Sequence, residues 1–522
     1  MAGPDGRETD TTVGGGGTAL AATVLRAPSA ASGRPQRRAV AVIGAGWAGL
    51  ACAVELVRAG CRVTVFEANK VPGGRARSVT GDDVLGTVDN GQHVLIGPYR
   101  ETFALMDRIG VDRRRVLSSL PLGLHGTDGL RLQVPAWPLG LGGLAALISA
   151  RGLGPGGRHA LLRLAHAVPA MLVAEDRDVA TWLRECQQPD TLTRRLWAPL
   201  CVAALNTPAE HASARVFARV LHDGLLAAGA DASIEVPARP LGELLAEPAV
   251  AWLRSQGAEV RLGCRVTALM PDDARPGAQD AASGPTASRN PARYTASGNG
   301  AARTDDPCER DPRQWRVRTA RDEAEHFDAV VVAVAPHQAA DLIAGHASAD
   351  TVARLEGLAY EAIATVHLRF AAALPAGAPT LRLLHDGPGE WLVDHGEGRA
   401  SVVISAWRRA PASTPETIAP DAQTTSAEAL AAAVEAQLRR VIADLPPLAA
   451  SRVLVEKRAT FACTPSQRRP GHATGAPGLF LAGDYTVSDH DLSDHGVAPY
   501  PATLEGAVRS GLECAQLVAT GP

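Results

Sequence analysis

The chain has 522 residues, with 52 Lys or Arg and 55 Asp or Glu, so its formal net charge is −3. A length of this order predicts about two to four domains with a large buried core, and the balanced charge excludes nucleic acid as a partner. Hydrophobic residues at 46% and charged residues at 20% exclude a wholly disordered or collagen-like chain, and aromatic residues at 4% disfavour stacking of single-stranded nucleic acid.

The first 37 residues are rich in Gly, Ala, Thr and Ser, with too few large apolar groups to offset the entropy of ordering them. We predict a disordered arm. Asp5, Glu8 and Asp10 precede the first short apolar stretch, so a secretory signal is not expected. The eight cysteines have no CxxC or metal-ligand spacing, which favours free thiols and a cytoplasmic location.

The first strongly patterned element is a predicted buried strand, residues 39–43, followed at once by a glycine-rich turn and a helix. Gly44 permits the tight turn, Gly46 lets the backbone approach a pyrophosphate, and Gly49 allows the helix to pack closely on the strand. The N-terminus of the helix then faces the phosphates. This order of elements is typical of a Rossmann-type dinucleotide-binding domain.

A second predicted strand, residues 62–66, places Glu67 at its carboxyl end, where a carboxylate can accept hydrogen bonds from ribose hydroxyls and repel a 2′-phosphate. Gly73, Gly74 and Arg75 follow, and a domain that binds only NAD does not require them. The glycines allow bare backbone to approach a ligand, and the arginine supplies a planar charged fork for phosphate.

The middle of the chain contains three unusual segments. Residues 132–150 are 19 residues without a charge, but their prolines and glycines disfavour a spanning helix, so we interpret them as a pocket wall or an interfacial membrane contact. Residues 271–312 are polar and predicted to form a surface hairpin or loop insertion, and 411–426 a linker before a helix. Apolar runs at 258–269 and 327–336 predict strands covered on both faces.

The carboxyl-terminal part supplies a second set of motifs. Residues 478–484 read as a buried strand that ends in Gly483 and Asp484, and a helix opens with Glu505, Gly506 and Ala507. The polar loop at 487–497 includes Asp489, His490, Asp491, Asp494 and His495. Because its spacing matches no familiar metal cage, we interpret it as a surface loop and predict no metal site.

Taken together, these motifs resemble the FAD enzymes that include amine oxidases and carotenoid desaturases. The resemblance implies FAD as the cofactor, with Gly73, Gly74 and Arg75 along its pyrophosphate and ribityl chain. It also implies that Asp484 contacts the phosphate-ribityl region and that backbone of Val266 lies near the adenine. Amides of the helix start at Glu505, Gly506 and Ala507 would point at the pyrimidine edge of the flavin, where they stabilise negative charge.

Three further segments, 89–99, 204–208 and 500–511, resemble the hydroxysqualene dehydroxylase family, and the likeness covers about 39–518 apart from the polar insertion. This family implies reductive removal of an allylic hydroxyl from a C30 isoprenoid by reduced FAD, with an electron donor that the sequence does not identify. The segment after Gly91 commonly passes the flavin ring in these enzymes, so His93 is our candidate catalytic group. An imidazole that only binds backbone is the alternative.

We therefore predict an α/β protein, with a Rossmann-type FAD-binding domain and a discontinuous mixed α/β substrate domain. The predicted FAD-binding segments are 38–100, 241–340 and 471–522, and the substrate-domain segments are 101–240 and 341–470. An oxidative carotenoid-type desaturase, an amine oxidase and a non-catalytic flavin-binding scaffold stay open as alternatives, because fold alone does not fix the reaction. Peripheral contact with the inner face of the cell membrane is a further expectation.

Overall fold

The computed structural model describes residues 37–80, 83–135, 145–146, 149–154, 156–226, 232–272, 314–375, 380–407, 426–488 and 499–521. The predicted arm up to residue 36, nearly all of the insertion, most of the linker and loop 489–498 lie outside these ranges, as does most of the uncharged stretch. Residues Arg38–Pro522 make up one compact unit.

The described residues include strands β1 to β20, which in chain order are Ala39–Ile43, Arg62–Glu67, Ser78–Thr80, Thr87–Asp89, Leu95–Ile96, Leu117–Pro121, Gly123–His125, Arg131–Gln133, Ser233–Pro237, Glu259–Leu262, Val266–Pro271, Trp315–Thr319, Ala324–Phe327, Ala329–Val332, Tyr360–Phe370, Leu381–Leu383, Trp391–Gly396, Arg399–Ile404, Leu448–Phe461 and Leu479–Leu481.

Helices α1 to α13 are Trp47–Arg58, Arg100–Arg108, Arg113–Val116, Gly157–Met171, Val179–Glu185, Asp190–Leu192, Ala198–Leu205, Ala214–Leu221, Glu247–Ser255, Pro336–Ile343, Ala349–Glu356, Ala427–Val441 and Leu504–Thr520. Three π-helical turns adjoin them, at Thr193–Trp197, His222–Leu226 and Gly242–Ala246. None of the helices in the described ranges is long and apolar enough to cross a membrane.

A five-stranded parallel sheet, in the order β10-β2-β1-β14-β20, forms the centre of the nucleotide-binding part. Val42 pairs with Val65 on one side and with Val331 on the other, and all three side chains are fully buried. The continuous apolar runs in these strands follow from cover on both faces. The strands come from all three segments that the sequence assigns to FAD binding, which confirms the α/β fold class; the exact domain boundaries stay a prediction.

Helices α1 and α13 pack against each other at backbone distance. An ideal Cβ built at Gly511 of α13 would lie 2.2 Å from the carbonyl oxygen of Ala48 in α1, so only glycine allows this approach. The two glycine-rich ends of the chain, more than 400 residues apart in sequence, are thereby held side by side.

The apolar run predicted as one strand at 258–269 is two strands, and the prediction was wrong on this point. β10 joins the parallel sheet, whereas β11 joins a three-stranded antiparallel sheet with β12 and β13. Gly263 separates them at a φ of +66°, a left-handed conformation that breaks a strand and suits glycine. The run at 327–336 is also not one strand. Phe327 ends β13, β14 spans Ala329–Val332, and Pro336 begins α10.

β11 and β12 are antiparallel neighbours, with Pro271 paired to Trp315. The polar insertion therefore connects two adjacent antiparallel strands, as predicted for a hairpin, although its own residues from 273 to 313 lie outside the described ranges. The seven cysteines among the described residues are free thiols, in agreement with the prediction from their spacing.

A second large sheet, antiparallel in the order β16-β17-β18-β15-β19, forms the wall opposite the nucleotide-binding sheet. Helix α12 covers one face, where Val434 and Leu438 are fully buried against the strands. Residues on the other face, among them Leu381, Val393 and Val403, line a cavity. The sheet therefore separates a closed apolar core from an open internal surface.

Candidate cofactor and substrate site

One cavity of about 1600 Å³ runs between the parallel sheet and the antiparallel sheet. Its size exceeds the roughly 300–1,000 Å³ of an ordinary small-molecule pocket, so it can hold a dinucleotide and a second large ligand together. Of the fourteen site residues expected from the sequence, twelve line it; the exceptions are Gly49 and Gly506.

The glycine turn after β1 forms one end of this cavity. Gly44 has a φ of +109°, and an added Cβ would lie 2.4 Å from the carbonyl oxygen of Ala333. Gly49 packs behind the turn, where a Cβ would lie 2.0 Å from the Gly44 carbonyl oxygen, as expected for close contact between helix and strand. Helix α1 has no side-chain cap at Gly46, so its first amides are available to an anion.

Glu67 lies at the end of β2, buried and facing the cavity. One carboxylate oxygen accepts a hydrogen bond from the Ala45 amide at 2.8 Å, and the other accepts bonds from the Asn69 amide and side chain at 2.8 and 2.9 Å. The carboxylate therefore braces the glycine turn as well as bordering the space predicted for a ribose. The ribose contact itself stays a prediction.

The Gly73–Arg75 segment folds directly onto the glycine turn. The Gly73 amide donates to the Ala45 carbonyl at 2.8 Å, and an added Cβ at Gly74 would lie 3.3 Å from the Gly46 Cα. Arg75 crosses to the other end of the chain, where its guanidinium contacts Asp484 at 2.6 Å. Two motifs more than 400 residues apart thus meet as an ion pair at the cavity wall.

Sequence reasoning missed Arg469, a buried arginine behind Gly483 and Asp484. It donates to four backbone carbonyl oxygens, those of Asp484, Tyr485, Thr486 and Tyr500, at 2.9, 3.1, 2.7 and 2.6 Å. Its guanidinium also lies 4.9 Å from the centre of the Phe461 ring. No local motif marks this residue, because its partners come from separate segments.

The start of α13 borders the cavity through Glu505 and Ala507. The Glu505 carboxylate turns towards α2, where it accepts hydrogen bonds from the Glu101 and Thr102 amides at 3.1 and 2.9 Å. The Gly506 amide donates to the Thr503 hydroxyl at 3.0 Å. The contacts of this helix start with a flavin stay a prediction.

Val266 and His93 both line the cavity. The Nδ1 atom of His93 lies 2.9 Å from the Gly91 carbonyl oxygen. Burial lowers the pKa of His93, the bond to Gly91 opposes that change, and the positive charge of Arg75 adds to the lowering. The ring is therefore neutral at neutral pH, which does not favour it as a proton donor; its catalytic role stays a prediction.

The part of the cavity away from the glycine turns is lined mainly by aliphatic side chains. They come from β7 and β8 with the residues beside them, from β9, from helices α7 and α8, and from the antiparallel sheet: Leu122, Leu124, Leu132, Val134, Leu200, Val220, Leu221, Ile234, Ile363, Leu381, Val393 and Val403. Burial of an apolar chain against such a surface is favourable by about 25 cal/mol per Å². The surface fits a long hydrocarbon rather than a polar substrate.

The residues present also fit a flavin dinucleotide. Four buried polar atoms on cavity-lining residues have no hydrogen-bond partner among the described residues: Trp47 Nε1, His337 Nδ1, Tyr485 OH and Trp391 Nε1. A buried donor or acceptor without a partner costs about 1–3 kcal/mol, so a polar ligand in the cavity would relieve that cost. The close glycine backbone and the uncapped helix suit its pyrophosphate.

Residues 47–284 and 307–519 match the model of the flavin-containing amine oxidoreductases. The chain belongs to this flavoprotein family, and FAD is its cofactor. A solved structure with a similar fold is cyclohexylamine oxidase from Brevibacterium oxydans IH-35A, with a TM-score of 0.60 at 16% identity, covering 93% of this chain and 99% of that one. It confirms the predicted fold.

Within that group, hydroxysqualene dehydroxylase of Rhodopseudomonas palustris is 32% identical over 92% of this chain and 98% of its own length. The protein of the same name from Sinorhizobium fredii is 30% identical over 92% of this chain and 97% of its length. The chain therefore belongs to the hydroxysqualene dehydroxylase family. Similarity to several carotenoid desaturases is confined to part of the chain.

Proposed function

We propose that this protein is an FAD-dependent oxidoreductase that removes the allylic hydroxyl of hydroxysqualene reductively and releases squalene. The observation that carries this proposal is the full-length similarity to proteins of that name. The aliphatic part of the cavity supports it, because a C30 isoprenoid needs a long apolar surface beside the cofactor.

Bound FAD in its reduced form supplies a hydride. Residues of this chain supply the rest: Gly44, Gly46 and the first turn of α1 would hold the pyrophosphate, Glu67 the ribose, and the Arg75–Asp484 pair the phosphate-ribityl region. The aliphatic wall orients the isoprenoid and excludes water, which protects an electron-deficient allylic carbon from competing reactions.

The test is anaerobic incubation of the purified protein with FAD, a chemical reductant and hydroxysqualene, followed by product analysis. We expect squalene in amounts that depend on reduced flavin. Flavin bleaching with oxidation of an added polyene would instead identify a carotenoid-type desaturase. Flavin binding without conversion of either substrate would identify a non-catalytic scaffold, and both of these results contradict the proposal.

We also propose that His93 contacts the reacting end of the cavity as a neutral polar group beside the flavin ring. Support comes from its place in the cavity wall and from its bond to Gly91, which fixes the imidazole. Because burial lowers the pKa of His93, the group does not change charge near neutral pH, and it would orient substrate rather than donate a proton.

Peripheral contact with the inner face of the cell membrane is proposed for the uncharged stretch 132–150. Leu132 and Val134, at its beginning, line the cavity, so a membrane contact there would place an insoluble substrate near the apolar wall. The double variant Leu141→Asp, Leu144→Asp is expected to reduce flotation with anionic liposomes about tenfold or more, because the proposed membrane contact would lose the transfer free energy of two leucine side chains. Leu162→Asp, at an exposed position of α4, is the control, and equal flotation of both variants would discard the stretch as the contact.

A further inference from the structure

Two polar side chains stand in the aliphatic wall of the antiparallel sheet. Trp391 pairs with Val403 across β17 and β18, and Ser405 follows two residues after Val403, so all three side chains share the face that lines the cavity. The indole Nε1 of Trp391 is buried and has no partner among the described residues. Ser405 therefore brings a hydroxyl to this apolar wall, with the indole ring of Trp391 on the same face.

Glu390 lies directly behind Ser405. One Glu390 carboxylate oxygen accepts a hydrogen bond from the Ser405 amide at 3.0 Å, and the Ser405 side chain also bonds to this carboxylate. Glu390 is not part of the cavity wall, whereas Ser405 is. The serine hydroxyl is therefore placed to pass a proton between the Glu390 carboxyl and a ligand in the cavity.

The backbone around Ser405 is held in an unusual conformation. Asn206 and Ala406 have φ values of +48° and +45°, and the Asn206 side-chain oxygen accepts a hydrogen bond from the Ala406 amide at 2.7 Å. Left-handed conformations in residues other than glycine are costly and occur preferentially at functional sites. Two such residues in direct contact fix the position of the serine.

The same asparagine connects Ser405 to the cofactor side of the cavity. Its Nδ2 atom donates to the Thr460 hydroxyl at 2.9 Å, and the preceding residue, Ala459, accepts a hydrogen bond from Arg75 at 2.7 Å. Arg75 is a residue expected along the flavin. The segment 204–208, which the sequence analysis singled out without a role, therefore positions Ser405 relative to the cofactor.

Resting on the proposed function, we propose that Ser405 binds the oxygen of the substrate's allylic hydroxyl and that Glu390, through Ser405, supplies the proton with which this oxygen leaves as water. Ser405 would be a catalytic residue that touches the substrate. Glu390 acts through Ser405, and Asn206 positions Ser405.

The step balances in atoms and charge. The Ser405 hydroxyl proton moves to the substrate oxygen, the Glu390 proton moves to the serine oxygen, and the carbon–oxygen bond breaks with both electrons on the departing water. Reduced FAD, when bound, would supply the hydride that completes the exchange of the hydroxyl for hydrogen at the allylic carbon. Glu390 is left as a carboxylate and regains its proton from solvent before the next turnover.

The electrostatics of Glu390 fit a proton source at neutral pH. Burial raises the pKa of Glu390 to about 7, and the two hydrogen bonds from Ser405 oppose that rise. The neighbouring segments carry three charged or titratable groups: His385 and Asp386 after β16, and Arg440 on α12. None of them contributes to the raised pKa of Glu390. A general acid works best when its pKa lies near the operating pH, so its effect should decline as pH rises above about 7.

The experiment compares the FAD-loaded, chemically reduced wild-type protein with Glu390→Gln and Ser405→Ala in anaerobic single turnovers with hydroxysqualene. We expect Glu390→Gln and Ser405→Ala to slow squalene formation about 100-fold or more. The wild-type rate should fall above about pH 7, and Glu390→Gln should lose this dependence. His93→Gln should keep the wild-type pH profile.

Flavin content and thermal unfolding are measured for every variant, and Glu397→Gln, an exposed residue in the turn between β17 and β18, is the matched control. A Glu390→Gln protein that holds flavin normally and equals the wild type in rate at every pH would overturn this role of Glu390 while leaving the proposed function standing. If the wild-type protein itself forms no squalene, the proposed function fails, and the role of Glu390 fails with it.

Discussion

The variant Gly44→Ala is expected to lose FAD almost completely. An alanine there must adopt a φ near +109°, and its Cβ would lie 2.4 Å from the carbonyl oxygen of Ala333 in the neighbouring part of the parallel sheet. Left-handed strain and a steric clash together cost about 2–5 kcal/mol. The turn can relieve this clash only by moving away from its position under α1. Because the turn is proposed to hold the pyrophosphate, FAD affinity should fall at least about 100-fold.

The measurement is flavin retained after purification, followed by titration of the apoprotein with FAD. Gly60→Ala is the matched control, because Gly60 also has a left-handed φ, +88°, but an added Cβ would meet nothing within 4 Å. It should lose about 1–2 kcal/mol of stability from strain and keep its FAD affinity. Equal affinities in the two variants would show that the turn does not contact the cofactor as proposed.

The second large effect is expected for Arg469→Met, which removes the charge and all donors while keeping much of the side-chain volume. Three carbonyl oxygens of residues 484–486 and that of Tyr500 would lose their donor. Unsatisfied buried carbonyls are expensive, and breaking such a network costs about 3–5 kcal/mol. Asp484 would no longer be held against Arg75, so both unfolding temperature and flavin content should drop.

Arg468→Met is the control for this variant. Arg468 precedes Arg469 in the chain, but its side chain is 70% exposed and lies 3.4 Å from Asp350, an arrangement that contributes little to stability. Thermal unfolding and flavin absorbance would be compared in the two proteins. A loss of stability in Arg469→Met no greater than in Arg468→Met would show that the four carbonyl oxygens do not depend on this arginine.

The nucleotide-binding half could be predicted well because its signals are local. The spacing of Gly44, Gly46 and Gly49 within one strand, turn and helix carries the requirement for close backbone approach. The structure places Gly44 in a tight turn and Gly49 in close packing, whereas an added Cβ at Gly46 would meet nothing within 4 Å, and the approach of Gly46 to a pyrophosphate stays a prediction. Glu67 follows for the same reason, since its position is fixed by the end of the adjacent strand. The misplaced strand at 258–269 arose because apolar composition continues through Gly263, where the chain changes sheets.

The substrate side could not be predicted in the same way. Asn206, Glu390, Ser405 and Thr460 are separated by as many as 254 residues, and their hydrogen bonds form only when α7 and the antiparallel sheet pack together. One signal was present in the sequence: the segment around Asn206 resembled the hydroxysqualene dehydroxylases, but nothing in it indicated which distant residues it would contact.

The sequence by itself determined the α/β class and the segments that build a dinucleotide site, because each depends on backbone geometry encoded in a few consecutive residues, and its resemblance to known flavoproteins implied FAD. The tertiary structure decided which buried polar groups face the apolar cavity. It also decided which arginine donates hydrogen bonds to the carbonyl oxygens of the Asp484 segment, and that Arg75 and Asp484 form an ion pair. Those features depend on burial and on contacts across several hundred residues, and burial is a property of the packed molecule rather than of any stretch of chain.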